Sequence, residues 1–162
     1  MSLAVQRQPQ TDAPAFRVRQ ARRGEVEAIA ALFAELGYAG APDVSTVHWV
    51  LSHPEMEVVV ACDAVDKPVG VVTLSHRPQL RMKGRIATID ELVVARAWRR
   101  RGVGRALLKR VVDRARSLTA RRIEIATHPG WDEGTLAFLS ACGFGVAEVR
   151  VARFSEIDFD RR

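Results

Sequence analysis

The strongest constraint on the fold of this chain is a run of seventeen residues at positions 92–108. An apolar Leu-Val-Val ends a predicted strand, an arginine-rich loop follows, and Gly102 and Gly104 open an amphipathic segment of helical spacing. The first turn of a helix has unpaired N–H groups and the positive end of the dipole, which together favour an anion. The two glycines let an anion approach the backbone without a Cβ in its way. The run therefore predicts a strand–loop–helix unit with an anion site at the helix start.

Two familiar phosphate-binding motifs are excluded at this junction. A P-loop needs Lys and then Ser or Thr after its last glycine, whereas Arg105 and Ala106 follow Gly104. A dinucleotide-binding fingerprint needs a third glycine or alanine, and Leu107 occupies that position. The three arginines at 99–101 can add charge-assisted hydrogen bonds to a phosphate. The junction therefore indicates a different kind of phosphate cradle.

Strand-like and helix-like segments alternate along the rest of the chain. Strands are predicted at residues 16–19, 58–62, 69–74, 86–94, 123–127, 146–151 and 154–159, and helices at 26–36, 42–51, 102–118 and 132–142. The order β-α-α-β-β-β-α-β-α-β-β combines hairpins with crossover helices. It predicts an α/β fold, a mixed sheet with helices on both faces.

Length and composition indicate one globular domain. The chain has 162 residues, of which 48% are hydrophobic and 27% charged. Residues 1–14 are polar with two prolines and are expected to form a flexible tail, so that 15–162 form the domain. The apolar runs are too short for a membrane span and the N-terminus has no apolar core of an export signal, so we expect a cytoplasmic protein. Cys62 and Cys142 are expected to be core residues, and no metal site is predicted.

The charge is concentrated in one segment. Residues 76–122 contain fifteen Lys or Arg and three Asp or Glu, a net charge of +12, whereas the whole chain carries +6. Such a segment is typical of a protein with an anionic partner, either nucleic acid, an acidic membrane or a phosphate-bearing small ligand, although a solvated basic face has the same composition.

The junction resembles a known family. Residues 99–104, Arg-Arg-Arg-Gly-Val-Gly, are similar to the Arg/Gln-x-x-Gly-x-Gly/Ala motif of the GCN5-related N-acetyltransferases, the GNAT superfamily. Residues 89–94 resemble that family's fourth strand and residues 137–144 its fourth helix with the Gly-Phe after it. The resemblance extends over about residues 15–160. It implies the GNAT fold, with a mostly antiparallel twisted central sheet.

The resemblance also implies an activity. Such enzymes transfer the acetyl group of acetyl-CoA to a primary amine of a small molecule or peptide by direct attack in a ternary complex, without a metal. The main-chain N–H of Val94, or of its neighbour Val93, would polarise the thioester carbonyl. The residues that the resemblance assigns to the coenzyme are Leu92, Val93, Val94, Arg99, Arg100, Arg101, Gly102, Val103, Gly104 and Arg105.

The acid–base groups follow the family pattern only in part. Asp90 stands where several members have a carboxylate that acts as a base. Glu91 is the alternative base, although strand alternation turns it to the opposite face unless a bulge intervenes. The tyrosine that usually follows Phe in the fourth helix is replaced by Leu139, so the general acid is not identified.

The acceptor site and the assembly are less constrained. Tyr38, Trp131, Asp132 and Glu133 are the predicted substrate-binding residues. The acidic Asp132 and Glu133 favour an amine as the acceptor, while the four basic residues at 77, 81, 83 and 85 favour an acidic acceptor. Family habit and the C-terminal strands predict a homodimer. The alternatives are a catalytically weak acetyl-CoA sensor, because of the missing tyrosine, and a nucleic-acid-binding protein, because of the basic segment.

Overall fold

A computed structural model describes residues 15–35, 42–126 and 132–147. The chain divides into two compact units, Met1–His128 and Pro129–Arg162. The first contains β1 (Arg17–Gln20), α1 (Val26–Glu35), α2 (Val44–Ser52), β2 (Met56–Cys62), β3 (Pro68–Gln79), β4 (Gly84–Val94), α3 (Val103–Ser117) and β5 (Ala120–Ile125), and the second contains α4 (Glu133–Ala141). Single 3-10 turns at Arg23–Glu25 and Arg96–Trp98 precede α1 and follow β4. None of the described helices is long and apolar enough to cross a membrane.

The five strands form one sheet in the order β1-β2-β3-β4-β5. Neighbouring strands from β1 to β4 are antiparallel, and β5 runs parallel to β4. This confirms the predicted mixed α/β class. The two strands predicted after α4 lie outside the described residues, apart from residues 146 and 147, which have no regular structure.

Strand β3 extends five residues beyond its predicted end at position 74. Ser75 to Gln79 pair with residues 84–88 of β4 in antiparallel register. These residues lack the apolar pattern that marks a strand, so a tertiary partner and not their own sequence makes them extended. Strand β5 likewise begins earlier than predicted, because Ala120 and the exposed Arg122 pair with β4.

Helices cover both faces of the sheet. Helices α1 and α2 pack on one face, where Ile29, Leu32 and Val47 join Val60 and Val93 in a buried cluster. Helix α3 packs on the other face and comes close to β3. A Cβ built on Gly70 would lie 3.1 Å from side-chain carbons of both Val103 and Leu107, so any larger residue there would press against α3.

A β-bulge interrupts the register between β3 and β4. Thr73 pairs with Glu91 and Leu74 with Ile89, which leaves Asp90 as an extra residue on β4. The Glu91 N–H donates to Thr73 Oγ1 at 3.0 Å. Because a bulge adds one residue, it changes which side chains of β4 share a face.

Candidate active site

The N-terminus of α3 is arranged to receive an anion. Gly102 is its N-cap, with φ +83°, a left-handed conformation that glycine adopts without strain. Gly102 has no side chain to occupy the helix start, and the first intrahelical bond runs from the Ala106 N–H to the Gly102 carbonyl at 3.0 Å. The N–H groups of Val103 and Gly104 precede that bond and point out of the helix start. Both glycines of the motif therefore lie at the start of α3, where the sequence predicts an anion site.

The arginine loop surrounds this helix start with exposed cations. Arg99 Nε donates to the Val94 carbonyl at 3.2 Å, so it links the loop to the end of β4. The Arg101 guanidinium lies 5.4 Å from the centroid of the Trp98 ring, within range of a cation–π contact. Arg100 and Arg105 are also exposed. Exposed guanidinium groups in this position can form charge-assisted hydrogen bonds with a phosphate, and no buried ion pair has to break for this.

The end of β4 has one backbone edge turned away from β3. The Ala95 N–H donates to the Val69 carbonyl at 2.9 Å, and backbone groups alternate between the two edges of a strand. Val93 therefore faces β3, while Leu92 and Val94 face the opposite edge. Over the described residues, the pairing of β4 with β5 ends at Ile89 and Ile125. The N–H of Val94, unlike that of Val93, can thus serve an extended ligand.

A cleft of about 370 Å³ lies between α1, α2 and the bulge of β4. Its described lining is Ile29, Phe33, Pro42, Thr46, Val47, Val50, Val58, Thr73, Asp90 and Glu91. The expectation that alternation turns Glu91 away from Asp90 is wrong, because the bulge at Asp90 brings both carboxylates to the same cleft. The sequence has no signal for this bulge.

The two carboxylates have different hydrogen-bond partners. Burial raises the pKa of Asp90, while hydrogen bonds from Ser75 and the charge of Arg77 act in the opposite direction. Burial also raises the pKa of Glu91; a hydrogen bond from Thr73 opposes this, and the charge of Asp90 adds to it. Both side chains keep an exposed surface, so they can exchange protons with solvent or a ligand.

Thr73 is the residue that sequence analysis missed. Its side chain is buried, and its hydroxyl donates to the Glu91 carboxylate while accepting the Glu91 N–H. The only available signal was a polar residue within the apolar run of β3. The Thr73 hydroxyl therefore fixes the backbone of Glu91 at the bulge and also positions the Glu91 carboxylate.

Comparison with known proteins decides the family. The family model "Acetyltransferase (GNAT) family" matches residues 24–144. The chain belongs to the GNAT family. Members of this family use acetyl-CoA and act on small-molecule or peptide acceptors. The predicted resemblance is confirmed.

Solved structures share this GNAT fold at low sequence identity. A protein of Agrobacterium tumefaciens str. C58 that is described as an acetyltransferase shares 24% sequence identity with this chain and superposes with a TM-score of 0.76. The match covers 85% of this chain and 99% of that chain. The aminoglycoside acetyltransferase meta-AAC0020 from an uncultured soil metagenomic sample has 20% identity and a TM-score of 0.72, covering 86% and 94%. Ribosomal-protein-alanine N-acetyltransferase from Brucella melitensis biovar Abortus 2308 has 20% identity and a TM-score of 0.69, covering 86% and 100%. No curated protein matches the chain.

The predicted acceptor residues of this GNAT chain are only partly described. Tyr38 and Trp131 lie outside the described residues. Asp132 is the N-cap of α4, where its side chain accepts from the Thr135 N–H at 2.7 Å, and Glu133 is exposed in the first turn. The hydrogen bonds from Thr135 lower the pKa of Asp132. Asp132 therefore has a structural role within its own unit.

Arg77 and Arg85, two of the basic residues that favoured an acidic acceptor, are not among the described residues that line the larger cleft, although the charge of Arg77 acts on Asp90. Arg77 lines a second, smaller cavity of about 150 Å³, and Arg85 Nη1 lies 3.1 Å from His76 Nδ1. Among the described residues that line the larger cleft, the charged ones are Asp90 and Glu91. Across the described part of the chain, no group of three or more His, Cys, Asp and Glu could hold a metal ion.

Proposed function

We propose that this chain is an acetyl-CoA-dependent N-acetyltransferase that acetylates a primary amine of a small molecule or peptide by direct attack in a ternary complex. One observation carries the proposal. The bulge of β4 puts two carboxylates into one cleft, next to Leu92 and Val94, whose backbone groups face away from β3. An amine acceptor needs a base beside the acyl donor. Residues 90–94 offer carboxylates that can act as a base and a backbone edge that can bind the donor. The names of two structurally similar proteins also specify amine acceptors, an aminoglycoside and a ribosomal-protein alanine.

The residues of this chain fit the coenzyme. The left-handed Gly102 opens α3 without a side chain, so the N–H groups of residues 102–105 would cradle the pyrophosphate. The arginines at 99–101 would neutralise phosphate charge, and the open edge of residues 92–94 would pair with the pantetheine arm. When bound, acetyl-CoA supplies the acetyl carbon with which the amine nitrogen forms its new bond, as the C–S bond breaks and sulfur leaves with its electron pair.

The side chains of the cleft would manage the protons. An amine arrives as an ammonium ion, which two adjacent carboxylates bind, and Glu91 removes one proton to free the nitrogen lone pair. Burial raises the pKa of Asp90, while hydrogen bonds from Ser75 and the charge of Arg77 favour the carboxylate that would hold the ammonium group. The Val94 N–H donates to the thioester oxygen, where negative charge develops. The second amine proton would pass to solvent, and the thiolate would take a proton from solvent.

Calorimetry of acetyl-CoA binding tests the coenzyme site. Gly104→Asp puts a like charge into the anion site, and near a protein surface such a charge at about 4 Å costs up to about 4 kcal/mol. We expect affinity to fall by at least about 100-fold. Gly24→Asp is the matched control, since Gly24 is an exposed glycine with open space around its Cβ position. Absence of wild-type binding, or equal affinity of the two variants, would overturn the proposal.

A second candidate is an acetyl-CoA-binding sensor with weak catalysis. It is favoured by one observation, Leu139 in the helix position where the family usually has a tyrosine. A sensor would bind acetyl-CoA in the calorimeter but release no thiol with any amine. The transferase releases thiol only when an amine is present.

A further inference from the structure

We infer that the acceptor is a compact primary amine on a hydrophobic body, such as an alkylamine or arylalkylamine, that binds in the cleft between α1, α2 and the β4 bulge. This inference rests on the proposed function and names the substrate class for that site. The cleft volume of about 370 Å³ lies at the small end of ligand pockets, which span roughly 300–1,000 Å³. A single small molecule fits such a space.

The walls of the cleft select an apolar body. Six of the ten described lining residues are apolar: Ile29 and Phe33 from α1, Val47 and Val50 from α2, Val58 from β2, and Pro42. The uncharged polar residues of the described lining are Thr46 and Thr73, and the Thr73 hydroxyl is already bonded to Glu91. A ligand with many hydroxyl groups would lose its hydrogen bonds to water and find few replacements. This disfavours sugar-based amines.

The charges of the cleft select one cation. Asp90 and Glu91 are adjacent, so an ammonium group can contact both. An acceptor with a carboxylate would be repelled by this pair. A polyamine would place its additional charges against apolar walls, where no described residue of the lining can pair with them. The arrangement therefore fits one ammonium group on an uncharged body.

An acceptor panel tests the substrate class through release of the coenzyme A thiol. The panel contains 2-phenylethylamine and hexylamine, ethylamine as the small control, and phenylalanine, spermidine and kanamycin as charged or hydroxylated alternatives. We expect kcat/KM for 2-phenylethylamine to exceed that for ethylamine and for phenylalanine by at least about 10-fold, the scale of discrimination that hydrophobic pockets reach.

A matched pair of variants on α2 tests the location. Thr46 is exposed and lines the cleft. Its backbone N–H donates to the Asp43 side chain at 2.7 Å, so Thr46→Phe narrows the cleft while that backbone bond of the cap remains. We expect kcat/KM for 2-phenylethylamine to fall at least about 10-fold, while that for ethylamine changes by less than about 3-fold. His48→Phe, at an exposed position of the same helix outside the lining, should change neither value.

The results separate this inference from the proposed function. Acetyl-CoA binding with faster acetylation of phenylalanine, spermidine or kanamycin than of 2-phenylethylamine overturns the inference and leaves the proposed function standing. Equal effects of Thr46→Phe and His48→Phe overturn the location in the cleft. Acetyl-CoA binding without acetylation of any amine in the panel also overturns the inference. Absence of acetyl-CoA binding in the calorimeter overturns the proposed function, and the inference with it.

Discussion

Asp90 and Glu91 are neighbours in sequence that share one cleft because β4 has one residue more than β3 at this point. Their surroundings differ in a way that suits two roles. Burial raises the pKa of both carboxyl groups. Hydrogen bonds from Ser75 and the charge of Arg77 oppose this at Asp90; a hydrogen bond from Thr73 opposes it at Glu91, where the charge of Asp90 adds to the rise. Two carboxylates with different environments can divide binding and proton transfer between them. Sequence alone favours Asp90 as the base, because strand alternation without a bulge turns Glu91 to the opposite face.

Amide variants of the two carboxylates distinguish their roles. Glu91→Gln should lower kcat by about 10²-fold, the usual scale for general-base help, because the amide cannot accept a proton. Asp90→Asn should mainly raise KM for the amine, because it removes one of the two charges that bind the ammonium group. Steady-state kinetics with acetyl-CoA saturating measures both. If Asp90→Asn is the variant with the lower kcat, Asp90 is the base.

The pH profile gives an independent check on Glu91. A base acts only when deprotonated, and burial raises the pKa of Glu91 above the ordinary value of about 4.3. The acidic limb of kcat in the wild type should therefore lie above that value; kcat is used because kcat/KM also contains amine binding by Asp90. The limb should disappear in Glu91→Gln, whose rate should rise at high pH because more of the amine is already neutral. An unchanged limb in Glu91→Gln would contradict the assignment.

Thr73 should act as a positioning residue for Glu91. Thr73→Val removes the hydroxyl that donates to the carboxylate and accepts the Glu91 N–H, at a cost in stability of about 1–3 kcal/mol. We expect the acidic limb of the pH profile to move upward, because the lost hydrogen bond had lowered the pKa of Glu91. Thr73→Ser keeps the hydroxyl and should restore the profile. A profile that stays unchanged in Thr73→Val would leave Thr73 with a merely structural role.

At the scale of secondary structure, the elements predicted best are those that carry their own signals. Helix α3 has an amphipathic pattern and a glycine start, and it lies within one residue of its predicted bounds at each end. The second half of β3 and the bulge could not be predicted, because both arise from pairing between strands and not from local pattern. The site follows the same division: the coenzyme motif is local in sequence, whereas the cleft combines residues from α1, α2 and three strands.

Glu57 joins three elements on the α3 side of the sheet. It is buried on β2, accepts from Gln20 of β1 at 3.0 Å, and accepts from Arg114 Nε of α3 at 2.7 Å. Burial raises the pKa of Glu57, but the hydrogen bonds from Gln20 and Arg114 outweigh burial and hold the pKa below its ordinary value. The folded protein therefore favours the charged form.

Glu57→Gln should lower the free energy of unfolding at pH 7 by about 2–3 kcal/mol, as expected when a hydrogen bond between charged groups is lost. Because the folded pKa is depressed, the stabilisation is present above the unfolded pKa of about 4.3 and is lost as pH falls through the folded pKa. Urea unfolding at pH 7 and at low pH should show that the two proteins converge in acid. Asp113→Asn breaks exposed pairs with Lys109 and Arg116 and should cost clearly less stability than Glu57→Gln, because solvent screens exposed ion pairs. Equal losses in the two variants would contradict the role of Glu57.

At the scale of the whole molecule, charge is divided between two sites along one strand. The arginine loop beyond the end of β4 is basic and suits a phosphate, while the bulge within β4 is acidic and suits an amine. The basic segment and the glycine motif were visible in sequence, so the family could be predicted. The acceptor could not, because the sign and polarity of the cleft depend on where the bulge places Asp90 and Glu91.

The chain should form a homodimer. The prediction rests on the dimers that are common in the GNAT family and on the predicted C-terminal strands, which lie outside the described residues. Light scattering at micromolar concentration should give about twice the monomer mass of 17.9 kDa. A mass near that of the monomer would contradict the prediction.

Direct detection of acetyl transfer tests the central claim. Wild-type protein is incubated with acetyl-CoA and the amine panel, the released thiol is quantified, and the amines are analysed by mass spectrometry, with Glu91→Gln in parallel. We predict one N-acetylated amine for each thiol released by the wild type, and about a 10²-fold lower rate for the variant. Thiol release at the same rate without an amine, or no acetylated amine with the wild type, would contradict the account.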